Sequence, residues 1–117
     1  MKSKYQAAKL TGFCPRYRRA VETIGRRWSG AIIRALLPGP RRFGELASAV
    51  PGLSDRLLSA RLRELERLRI VRRSVRAGPP VRIEYALTES GKELQTVVRA
   101  IAHWAQRRIP VKAARPI

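Results

Sequence analysis

The chain has 117 residues, enough for one small domain, and its 44% hydrophobic content supports one core rather than two. It carries 26 Lys and Arg against 8 Asp and Glu, a net charge of +18, and such an excess draws polyanions through its summed field. A single cysteine, Cys14, and a single histidine leave no material for a disulfide framework, a metal cluster or a nucleophile–base pair, so no metal, no cofactor and no enzyme activity are expected.

Residues 1–13 are polar and basic, with no sustained period and no signal-peptide core, and read as an N-terminal arm. No apolar run reaches the roughly 18 residues of a membrane span, so a cytoplasmic protein with no membrane partner is expected. A domain over residues 14–107 follows. Pro15 suits a first helical turn, Tyr17, Ala20, Val21 and Ile24 recur at helical spacing, and Gly25 can end the helix. A second helix from Trp28 holds Ile32, Ile33, Leu36 and Leu37 and is stopped by the Pro38–Pro40 turn. Arg41 to Phe43 are briefly extended before a short helix that buries Leu46 and Val50. Ser54 then caps another helix, so helix, tight turn, helix is in place.

Past Leu68, the β-branched runs IVRRSV and VRIEYAL flank RAGPP and read as a two-stranded ribbon with a basic, proline-stiffened loop. Thr88 caps a last helix with Leu94, Val97, Val98, Ile101, Trp104 and Ala105 on one side, and residues 108–117 form a tail. The fold class expected is mainly α with a small β-hairpin wing, a winged helix-turn-helix whose last helix has apolar surface to give away.

The Ser54 helix holds two kinds of arginine. Leu57, Leu58, Leu62, Leu65 and Leu68 share a core side, while Arg56, Ala60, Arg63 and Arg67 fall on another at i, i+4, i+7 and i+11, beside Ser59. That cationic face suits a major groove; its bland counterpart is a solvated face with i,i+4 pairing. Arg56, Ser59 and Arg63 are the candidate base or groove contacts. Arg41, Arg42, Arg67, Arg76 and Arg82 are the candidate phosphate contacts, and Ser54 joins them at the helix start. Arg61 instead points into the leucine stripe, where an unpaired charge is costly. It requires an ion pair or carbonyl contacts, with Glu45 the first candidate partner and Glu84 the second.

The sequence resembles the HxlR-type winged-helix transcriptional regulators of bacteria, from about Cys14 to Trp104. The resemblance rests on CP opening the first helix, Trp28, RFGEL, PGLS, LLSARLRELE, PPVRIEYALTESG and Trp104. It implies a homodimeric regulator of double-stranded DNA, a repressor or an activator with repression favoured. The Ser54 helix would be its recognition helix, the Arg76–Arg82 loop its wing and the terminal helices its dimer contacts, with Tyr17, Val98, Ile101 and Trp104 the candidate interface residues. Arg69 departs from the pattern by standing where the family usually has a helix-ending glycine, GRRW replaces Gly-Lys-Trp, and the wing lacks the usual acidic residue.

Some members of that family sense oxidants or electrophiles at the position Cys14 matches. Cys14 lies beside Arg16, Arg18 and Arg19 at a predicted helix start, a setting that would make an accessible thiol reactive; the alternative is a small apolar residue packing that start. The small-molecule effector is not identified by the sequence. Two other functions stay open beside the sequence-specific regulator: a non-specific architectural DNA-binding protein, and a helix-mediated protein-interaction module.

Overall fold

The computed structural model describes residues 14–110, so the arm, most of the tail and any role of theirs lie outside the described residues. Helix α1, Pro15–Gly25, begins with the proline and ends at the glycine, as expected, but it buries none of its residues. Ile24 and Thr23 are half-buried, whereas Tyr17 and Val21 are 65% and 50% exposed. Helix α2, Ser29–Leu36, buries Ile32, Ile33 and Leu36 and ends before Pro38. Trp28 precedes it at φ 78°, a left-handed conformation rare outside glycine. Its carbonyl accepts from the Ile32 amide at 3.0 Å. Its ring packs on the core, with the Arg27 guanidinium 5.2 Å from the ring centre.

Strand β1, Arg41–Arg42, leads into helix α3, Phe43–Ala49, in which Leu46 is fully buried. After the Pro51-Gly52 turn, Ser54 caps helix α4, Asp55–Arg67, its Oγ accepting from the Leu57 amide at 3.1 Å. Strands β2, Val71–Arg76, and β3, Arg82–Leu87, pair antiparallel from Val71 opposite Leu87 out to Arg76 opposite Arg82. Helix α5, Glu89–Arg108, closes the fold behind a Thr88 cap.

The sheet has three strands in the order β1-β3-β2, not the two expected. Arg41 and Arg42 lie opposite Tyr85 and Glu84, so β3 is paired on both edges at its root and on one edge toward the wing tip. That arrangement ties the base of the wing to α3 and leaves its end projecting. The core lies between α2, α3, α4 and the sheet, where Ile32, Ile33, Leu36, Leu46, Leu58, Leu62 and Leu65 are at most 2% exposed. Full burial of one such side chain contributes about 1.5–3 kcal/mol. Together these contacts fix α3 and α4 as a winged helix-turn-helix.

The end of α4 is decided by Arg69, which adopts φ 59°. Its amide donates to the Glu66 carbonyl and the Ile70 amide to the Leu65 carbonyl, both at 2.9 Å. This is a complete Schellman stop, the arrangement that usually calls for glycine. The helix is therefore not lengthened; an arginine bears the left-handed turn. One residue on, the Ile70 carbonyl accepts from the Thr88 amide at 3.0 Å, while the Thr88 hydroxyl donates to the Arg69 carbonyl at 2.5 Å. Thr88 Oγ1 also accepts from the Gly91 amide at 3.1 Å. Gly91 is buried directly against Ile70, and a Cβ there would overlap the Ile70 carbonyl.

Two substitutions at this junction should move stability in opposite directions. Arg69→Gly relieves the left-handed conformation and should raise the unfolding free energy by about 1 kcal/mol. Gly91→Ala drives a methyl group into backbone and should lower it by about 2–3 kcal/mol. Urea unfolding of both variants checks the pair, and a stable Gly91→Ala protein would show that the junction can shift.

Candidate DNA interface

Along α4 the residues sort by about 100° per step into two opposed faces. Leu58, Leu62 and Leu65 are buried on one; Arg56, Arg63 and Arg67 are exposed on the other, with Ser59 and Ala60 half-buried between them. The arginine row runs for about 16 Å, from an 11-residue separation at 1.5 Å per residue. Arg56 and Arg67 have no side-chain partner among the described residues. Arg63 Nη1 donates to Ser59 Oγ at 3.2 Å, which aligns two of the candidate base contacts on one face.

Glu64, one of two carboxylates bordering this row, is engaged away from it: one oxygen pairs with Arg26 at 3.3 Å and the other with Arg61 at 3.9 Å, on the side facing the α1–α2 connection. Its charge is thus compensated inside the fold. Arg26 lies 38 positions upstream, and nothing in the local pattern of α4 points to it; only the packing of α1 and α2 beside α4 brings the pair together.

Arg61 is a structural residue, but its partners are not Glu45 or Glu84. Its Nε donates to the Arg27 carbonyl at 2.9 Å, and its side chain, 13% exposed, reaches Glu64 one turn along. Glu45 is engaged elsewhere, accepting from the Arg42 amide at 2.7 Å as a cap of α3 and lying 3.8 Å from the Arg42 guanidinium. Glu84 pairs with Arg76 at 3.5 Å across the wing. The physical reason is direction: the flank of α4 that carries Arg61 faces the start of α2, where an unpaired carbonyl is nearer than the acidic group on α3.

The other candidate contacts are not equivalent. Ser54 uses its oxygen as an acceptor for the helix cap, which leaves its hydroxyl hydrogen for a phosphate. Arg41 is half-buried and its Nε donates to the Ala35 carbonyl at 2.8 Å, so it also anchors β1 to α2. Arg42 is exposed and loosely paired. At the wing tip, Arg76 and Arg82 stand directly opposite each other. Like charges in that register oppose pairing, and the Glu84 carboxylate 3.5 Å from Arg76 offsets part of that repulsion. The register of the strands sets this pair.

Among the candidate dimer contacts, Tyr17, Ile101 and Trp104 are more than half exposed. Val98 differs: it is half-buried and packs on the chain's own core, while Val97 beside it is 38% exposed. Cys14 is the half-buried residue before α1; its side chain makes no capping bond, and its carbonyl accepts from the Arg18 amide at 3.0 Å. Among the described residues no cluster of His, Cys, Asp or Glu could hold a metal, and no helix is long and apolar enough to cross a membrane.

The chain is similar in sequence and fold to known proteins. The family described as HxlR-like helix-turn-helix matches residues 23–113. The HTH-type transcriptional regulator YvaP of Bacillus subtilis is 47% identical over 92 residues, 79% of this chain and 85% of that protein. YodB of the same organism, also an HTH-type transcriptional regulator, is 42% identical over 94 residues, 80% of this chain and 84% of its own length. The structure of reduced YodB superposes with a TM-score of 0.77, covering 84% of this chain and 96% of that one, and YodB is also known in diamide-treated and quinone-bound forms. The redox regulator HypR in its oxidised form, 34% identical, gives 0.77 as well over 84% of this chain and all of its own.

The separation of anchor from exposed row is testable by substitution. Arg61→Met keeps the apolar stem but removes a charged donor from a carbonyl, and should destabilise the fold by about 2 kcal/mol. At a temperature where the variant is fully folded, its affinity for DNA should stay within about twofold of the parent in a fluorescence anisotropy titration. A large loss of affinity without loss of stability would place Arg61 on the DNA side.

Proposed function

The chain belongs to the HxlR-like helix-turn-helix family and is a DNA-binding transcriptional regulator; on that premise we propose that it acts as a cytoplasmic homodimer, without catalytic activity, that represses by occupying an operator and responds to thiol oxidants. The observation that carries the DNA reading is the α4 face itself. Arg56, Ser59, Arg63 and Arg67 are presented by the second helix of the motif while the neighbouring Glu64 is held by Arg26 and Arg61. A helix of this width fits a major groove, where arginine donates two bonds to guanine O6 and N7. Arg56, Ser59 and Arg63 take the base edges; Ser54, Arg42, Arg67, Arg76 and Arg82 take phosphates, with Arg41 contributing only the part of its guanidinium not bound to Ala35.

The dimer reading rests on the exposed apolar residues of the terminal helices, Tyr17 and Val21 on α1 and Val97, Ile101 and Trp104 on α5. A two-fold pair would place two α4 helices about one DNA turn apart. The redox reading rests on Cys14 at the start of α1 and on the likeness to YodB and HypR, the first known in diamide-treated and quinone-bound forms and the second named a redox regulator.

An operator recovered by selection from random-sequence DNA provides the test. Arg63→Ala should relax discrimination at one base position by about 1–3 kcal/mol, whereas Arg67→Ala should weaken all sequences alike and reduce the salt slope by about one. A specificity ratio near one for the parent protein would favour an architectural DNA binder instead. For the redox reading, diamide should lower operator affinity of the parent and leave Cys14→Ser unaffected; equal loss in both would sink it.

A further inference from the structure

Between α1 and the junction of α4, β2 and α5 lies an open cleft of about 310 Å³. That volume is at the lower end for small-molecule sites. Ile24, Leu68, Ile70 and Leu94 form its apolar walls, and the exposed Arg16 and Arg19 stand at its edge. Neither arginine has an ion-pair partner among the described residues, and no carboxylate lines the cleft. The first turn of α1 has no acidic residue and Cys14 supplies no side-chain cap, so no side chain of that turn opposes the positive end of the helix dipole near Arg16.

We propose that this cleft binds a small amphipathic organic anion, a carboxylate carried on an aromatic or branched aliphatic body. The carboxylate pairs with Arg16 and Arg19, and the body replaces water on Ile24, Leu68, Ile70 and Leu94. The position gives such a ligand leverage. Leu68 and Ile70 flank Arg69, the left-handed residue at which α4 ends and the wing begins, so a ligand in contact with both bears on the angle between recognition helix and wing. Differential affinity for two settings of that angle couples the cleft to the operator. The coupling rests on the regulator reading above; the binding itself does not.

The cleft borders the apolar faces assigned to the dimer: Ile24 lies about 20° around α1 from Tyr17, and Leu94 shares a side of α5 with Ile101 two turns on.

Benzoate is the probe, titrated calorimetrically into the full chain without DNA at constant ionic strength, with benzyl alcohol and inorganic phosphate as comparisons. One benzoate should bind per chain, at least tenfold more tightly than either comparison. The surface variant Arg16→Ala/Arg19→Ala and the cleft-filling variant Ala20→Trp should each weaken it at least tenfold. Benzoate should also shift operator affinity at least threefold in the parent protein and not in Ala20→Trp. Binding no tighter than phosphate, which would mean general attraction to a chain of charge +18, overturns the proposal, as does equal binding by the double variant. Dissociation of the dimer by Ala20→Trp with benzoate binding intact would show that a second copy covers the cleft, and overturns it too. Saturable binding with no shift in operator affinity overturns the coupling, whereas failure of the parent to select an operator without benzoate counts against the regulator reading alone.

Discussion

The Ile70 carbonyl is the point on which the placement of the functional elements turns. It accepts from the Thr88 amide and is packed against Gly91, while the Thr88 hydroxyl donates to the adjoining Arg69 carbonyl, so the exit of α4, the root of the β2–β3 wing and the first turn of α5 meet at one short stretch of backbone. The Schellman stop at Arg69 feeds directly into it. Were α4 to continue by one more turn, Val71 could not reach Leu87 and the wing would lose the register that carries Arg76 and Arg82 to its end. The recognition helix, the wing and the long C-terminal helix are thus related by a few hydrogen bonds at a place where only a glycine fits. Leucines around α4 hold the helix in the core, but this junction sets its direction.

Charge is organised on the same plan. The chain has 8 acidic residues for 26 basic ones, and several acidic groups are committed to the fold: Glu64 to Arg26 and Arg61, Glu45 to the cap of α3, Glu84 to Arg76. Such partly exposed pairs contribute little stability one by one. Their larger effect is spatial. With Glu64 paired to Arg26 and Arg61, the exposed Arg56, Arg63 and Arg67 have no carboxylate partner among the described residues.

Much of this was legible in the residue order. Periodicity marked the leucine side of α4 against its arginine side, Ser54 and Thr88 announced their helices as caps, the proline clusters bounded α2 and α3, and the β-branched runs marked the wing. The need for a buried partner for Arg61 was also legible, because the helical angle alone places it among leucines. Its identity was not. Arg27 and Arg26 are remote in sequence and meet α4 only when α1 and α2 pack beside it, so the local pattern pointed to Glu45 instead. The third strand escaped for the same reason: two residues have no period, and β1 exists only because β3 offers an edge.

Sequence by itself therefore determined the class of element at nearly every position, the division of α4 into core and cationic faces, and the membership in a family of DNA-binding regulators. These depend on intervals of one to four residues and on composition, which a linear chain carries explicitly. Tertiary structure alone decided that Arg41 anchors β1 to α2 and that Arg61 finds the Arg27 carbonyl, that Val98 turns inward where Val97 does not, and that a cleft opens beside the exit of α4. Those outcomes depend on distances between elements, and short-range patterning leaves such distances open until packing closes them.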